Sequence, residues 1–443
     1  MPPELIRKIF LHCLPRDRLP RPITVEAPLV LGHVCHFWRS VLIWTPEMWT
    51  ALALVCGHGR IPVERMLRTY EEWVRRSGDH PLTLSFLFAD DAPPPTCNDV
   101  VDLDVFRSTL LKHAHRWRAL YISSPIMCRC VLRIQSILHA PRSTPLLEGF
   151  SLVYNGPWRR ERASITMSIR HIRQLSVLHL GGHGCLVELS MHNVKFSNLV
   201  ELRISSPAST ILPILKYAPV LETLDVTFDL QERNHHCLAK PLMLCKLRTL
   251  KLSTHDASLI PLISQLRLPS LERLSVTMVS IFGVEEWQNV VELVERSDPP
   301  LRELYAYGGP PEPHIMIGLL RLVPDLTLLA GDWYMAMQPI LNALTVRADR
   351  PPLCPQLERF EFQHKFSTTE NAAPMVLSRW KHSDNARFQI ARPLEVKILG
   401  DTYRFLRYPG ITECLEKGLK VSDERRFEQW FETKGVDWFP ADY

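Results

Sequence analysis

The chain contains no Cys-x-x-Cys pair, no run of roughly eighteen uncharged apolar residues and no strong excess of either charge. Its eleven cysteines are odd in number and scattered, which disfavours a disulfide framework and suits the reduced thiols of cytosol or nucleus. The missing apolar run leaves no membrane-spanning segment, and the first residues lack the layout of a secretory signal. Against 52 bases stand 47 acids, a net +5 that is too small for a chain committed to nucleic acid, which gathers its bases on one face. The nucleophile elbow Gly-x-Ser-x-Gly is absent, and so is a phosphate loop ending in Gly-Lys-Ser/Thr. What remains is a 443-residue chain with 46% apolar residues, room enough for a small module and one long domain.

The first fifty residues carry the densest pattern. Pro2-Pro3-Glu4 opens a helix, with proline suited to the first helical position and glutamate to the dipole. Leu5, Ile6, Ile9, Phe10 and Cys13 recur at helical spacing until Leu14-Pro15 stops the helix. After a proline-punctuated polar loop, Arg16 to Glu26, a second pattern begins at Pro28. It places Leu31, Val34, Cys35, Trp38, Val41 and Leu42 on one stripe. Thr45-Pro46-Glu47 reads as a cap, a proline at the first helical position and an acid in the first turn, with Trp49 packed behind. Three short helices bury little surface by themselves, so part of this apolar stripe is expected to face another chain.

The phrases Pro-Pro-Glu-Leu-Ile-Arg-Lys-Ile-Phe, Leu-Gly-His-Val-Cys-His-Phe-Trp-Arg and Thr-Pro-Glu-Met-Trp resemble the F-box, over residues 2 to 49. The combination Val-Cys-x-x-Trp-Arg with Thr-Pro-x-x-Trp is most similar to F-box proteins of mushroom-forming fungi. Met1 stands where a leucine usually precedes the first proline, as expected of a chain short of its native N-terminus, and the loop after the first helix is longer than in compact F-boxes. The resemblance implies a non-enzymatic adaptor that docks a Skp-type protein, and through it a cullin, in a ubiquitin ligase. Carried over by position, Pro3, Leu5, Ile9, Leu31, Val34, Cys35 and Trp38 make or support that contact. The alternative for Leu31, Val34 and Trp38 is a core role in a helical cap.

Beyond the helices the chain is periodic. Ile61 to Ser77 has a helical pattern ended by Gly78, and Leu82, Leu84 and Phe86 alternate as in a strand. Asp90 to Asn98 reads as a loop and Val105 to His115 as a helix. From Trp117-Arg-Ala-Leu120-Tyr-Ile122 onward a template of apolar-x-x-apolar-x-apolar recurs, as in Leu147/Phe150/Leu152, Leu175/Leu178/Leu180, Leu221/Leu224/Val226 and Leu271/Leu274/Val276, down to Leu357/Phe360/Phe362. Spacings of 22 to 31 residues fall in or slightly above the range of leucine-rich repeats. Helical stretches fill the gaps, among them Ile211 to Tyr217, Leu259 to Leu266, Val284 to Glu295, Ile315 to Leu322 and Pro339 to Leu344. Leu186/Leu189/Met191 is an extra copy, and Val396 with Ile398 a final strand. The expected architecture is α/β: a three-helix F-box over 1–54, then a divergent leucine-rich-repeat-like solenoid over 55–408. That solenoid has a parallel sheet on one face and helices on the other. A helical cap or tail follows over 409–443, its last helix running from Glu424 to Lys434.

Signals for chemistry are thin. Cys128, Cys130, His235, His236, Cys237 and Cys245 lack the paired spacing of a zinc site. Gly181-Gly182-His183-Gly184 reads as a turn at a strand end, and Trp158 to Arg162 as a solvated loop. No metal, cofactor, nucleic acid or membrane is implied. The strand residues between the apolar positions face the other side of the sheet: Glu201 and Arg203, Thr223 and Asp225, Thr249 and Lys251, Arg273, then Glu303, Tyr305 and Tyr307, with Arg359 and Glu361 near the end. Solenoids bind partners on such surfaces. Arg203, Asp225, Lys251, Arg273, Tyr305 and Tyr307 are therefore the candidate contacts for a protein target. The ordinary alternative is a solvent-facing strand surface.

Overall fold

In the computed structural model the described residues are 1–56, 63–88, 108–124, 144–154, 163–168, 174–182, 185–190, 196–228, 241–254, 257–278, 283–308, 312–363, 369–383, 389–399 and 402–422. The Asp90–Asn98 loop, the Trp158–Arg162 run and the Glu424–Lys434 helix lie outside them.

The chain starts with helix α1 (Pro3–His12), a 3-10 turn at Leu29–His33, helix α2 (His36–Ile43) and a second 3-10 turn at Pro46–Trp49. The second sequence pattern is thus broken, where one continuous stripe was expected. Cys35 has extended backbone, and its Sγ accepts the Trp38 N–H at 3.4 Å, so it caps α2 from outside. Leu31 and Leu42 consequently belong to separate elements. Residues 51–54 were expected in the helical module but open the first strand of the sheet.

The described residues fall into two units, Met1–Ser205 and Ser206–Phe427. Strands of the first are β1 (Ala51–Cys56), β2 (Leu82–Phe88), β3 (Trp117–Ser124), β4 (Gly149–Tyr154), β5 (Ala163–Ser168), β6 (Val177–Gly182), β7 (Cys185–Ser190) and β8 (Glu201–Ser205). They form a parallel sheet in the order β1-β2-β3-β4-β6-β8, while β5 pairs only with β7 in a separate parallel ribbon. The extra copy at Leu186 is therefore a strand, though outside the main sheet.

The second unit contributes β9 (Thr223–Phe228), β10 (Leu242–Met243), β11 (Thr249–Thr254), β12 (Leu266–Arg267), β13 (Arg273–Met278), β14 (Glu303–Tyr307), β15 (Leu328–Gly331), β16 (Arg359–Gln363), β17 (Glu395–Leu399) and β18 (Lys420–Ser422). Its parallel sheet runs β9-β11-β13-β14-β15-β16-β17-β18, and β10 pairs with β12 apart from it. Helices between strands include Ala208–Lys216, Ile260–Ile263, Gly283–Ser297, Pro313–Leu322, Gln338–Leu344 and Ala373–His382. The helix expected over Leu259–Leu266 is a single turn, because Leu266 joins β12.

The template leucines of the main-sheet strands are buried, and seven repeats enter their strands through the same turn, whereas the Leu301 N–H donates to the Pro299 carbonyl two residues earlier. The N–H of Leu147, Leu199, Leu221, Leu247, Leu271, Leu326 and Leu357 donates to the carbonyl three residues earlier. Those earlier residues, Thr144, Phe196, Ala218, Leu244, Leu268, Val323 and Cys354, are also buried. The repeat thus has a fourth inward position that mixed residue types conceal in the sequence.

Side chains on the helical side tie one repeat to the previous one. Arg116 donates to the carbonyls of Val74 and His80 and to Ser77 Oγ, just past the end of α3 (Val63–Arg76). Arg296 donates to Leu266 and Ile263 carbonyls, and Arg379 to those of Leu344, Leu353 and Cys354. Helix C-termini leave carbonyls without intrahelical partners, and these arginines supply donors to them or to the loops that follow.

Candidate functional site

The N-terminal helices have a packed side and a bare side. Ile6 and Phe10 of α1 are buried with Leu31, Leu42, Met48 and Trp49, and Phe10 meets Trp38 edge-on at 5.0 Å. Trp49 donates Nε1–H to the Leu42 carbonyl at 3.2 Å and packs on Trp73 of α3 at 4.8 Å. Arg7 pairs with Glu47, and Arg18 and Arg21 both pair with Glu26. These contacts hold the helices against the first repeat and explain why the small module needs no larger core of its own.

On the other flank of α1, Leu5 is 50% and Ile9 44% exposed, and Val34 before α2 is 58% exposed. Pro3 and Cys35 are exposed as well, while Trp38 is half-buried. Leu31, expected at the contact, is core instead; its 3-10 turn faces it inward. Phe37 and Trp44, which the expected contact set omitted, are exposed. Among the described residues eighteen large apolar side chains are exposed, and eleven of them lie in the first 44 residues. The exposed large apolar side chains of the described residues are thus concentrated at the N-terminal end of the first unit.

The second surface is the outward pleat of the sheet. In the second unit Thr223, Thr249, Arg273, Glu303, Leu328, Arg359 and Glu395 stand side by side in register, and so do Asp225, Lys251, Ser275, Tyr305, Ala330, Glu361 and Lys397. Asp225, Lys251 and Tyr305 are half-buried and Arg273 is exposed. Tyr307 is only 7% exposed, so a target could not rest on it as expected; burial raises its hydroxyl pKa. Burial likewise pushes Tyr305 up to about 12, with the Glu303 carboxylate adding to it, so this phenol stays a neutral donor.

In the first unit Arg203 lies on the outward face beside Glu201. The carboxylate meets Arg203 Nε at 2.8 Å and His179 Nε2 at 2.9 Å. Although burial works against it, the His179 hydrogen bond and charge, with Arg203, hold the Glu201 carboxyl down to about 2. His179 was not among the sequence candidates, since a lone histidine in a strand has no motif.

Of the cysteines and histidines weighed for zinc, only Cys245 falls among the described residues, and it is exposed. No group of three or more metal-ligand side chains occurs among the described residues, and no helix among them is long and apolar enough to cross a membrane. Comparison of the chain with protein-family models and with curated proteins finds no match to either.

Proposed function

We propose that this chain is the substrate-recognition subunit of a Skp–cullin–F-box ubiquitin ligase. The observation that carries the reading is the bare flank of α1, where Leu5 and Ile9 are exposed although the same helix buries Ile6 and Phe10. A Skp-type adaptor would cover that flank together with Val34 and Phe37. The resemblance of residues 2 to 49 to the F-box supplies the identity of the partner. The outward face of the parallel sheets would hold a protein target, and the chain would contribute proximity to a ubiquitin-charged enzyme, with no chemistry of its own.

Large side chains at the centre of a helix-face interface each cost about 2 kcal/mol or more when truncated, roughly thirtyfold in affinity. Co-precipitation of the tagged full chain with a recombinant Skp-type adaptor is therefore expected to disappear in Leu5→Ala with Ile9→Ala, with an unchanged thermal midpoint. Equal recovery of adaptor with this double variant would sink the assignment. If adaptor is captured but cullin never co-purifies, the chain is a scaffold outside ubiquitin ligation.

A further inference from the structure

We draw no further inference here: the strongest candidate, the surface patch of exposed Phe37, Ile43 and Trp44 along and just past α2, is an unpartnered apolar face, and nothing in the structure shows what covers it.

Discussion

Arg379 keeps its guanidinium where the side chain has no exposure to solvent, and it is charged there: burial lowers its pKa, but only to about 10. Its partners are backbone carbonyls of Leu344, Leu353 and Cys354, with the Phe360 ring 5.9 Å away. Three carbonyls left without a donor in a buried site cost about 1–3 kcal/mol each, less what water can recover. Arg379→Met is expected to lower the unfolding free energy by roughly 3 kcal/mol or more, seen as a fall in the urea midpoint. Arg379→Lys should recover little, because one ammonium cannot reproduce the spread of a guanidinium. Glu201 gives a prediction in pH. Its folded-state pKa, about 2, lies below the unfolded value of about 4.3, so its contribution is complete above the latter and is lost as pH falls toward the former. Unfolding midpoints measured from pH 5 downward should therefore fall less steeply in Glu201→Gln than in the unaltered chain.

At the scale of elements, α1 serves two masters. Ile6 and Phe10 lock it to α2 and the Pro46–Trp49 turn, whereas Leu5 and Ile9, one residue earlier in each case, stay on the bare flank. Truncation on the two flanks should therefore separate stability from docking. Phe10→Ala removes a fully buried ring and is expected to cost about 3–5 kcal/mol, lowering the thermal midpoint sharply. The exposed pair should leave that midpoint in place. The same division runs through the repeats: inward leucines carry the packing, and outward residues such as Arg273 and Tyr305 are open to exchange for function.

Across the whole molecule five of the eleven thiols report which surfaces are closed. Cys13, Cys35 and Cys245 are exposed, whereas Cys354 and Cys414 are buried. Burial pushes the Cys354 thiol up to about 12 and raises that of Cys414 too, and Cys354 Sγ donates to the Leu320 carbonyl at 3.3 Å. A thiol reagent applied to the native chain near pH 8 should label the first three and spare the last two until denaturant is added. Peptide mass mapping of the labelled sites checks this. Modification of Cys354 in the native chain would contradict the packing of the strand-entry turn that it occupies.

The sequence by itself determined the repeat. A strand that buries every second residue must write that choice into its side chains, and Leu250, Leu274 and Leu304 could be placed inward with Lys251, Ser275 and Tyr305 outward from spacing alone. It also set the start of α1 at the prolines and the turn at Pro46. Only the tertiary structure decided which apolar residues remain bare. Spacing separates one helix face from the other but does not say what covers each, so Leu5 and Leu31 looked alike until the packing of the 3-10 turn buried one of them. The break at Cys35 depends on a side chain turning back to a backbone N–H. The arginine ties of Arg116, Arg296 and Arg379 escaped notice for a related reason: their partners are mostly carbonyls some thirty residues away, and a carbonyl has no signature in sequence. The carboxylate of Glu303, shared by Arg273 and Arg359, belongs to the same class, since Arg359 meets it across an intervening strand that only the assembled sheet puts in place.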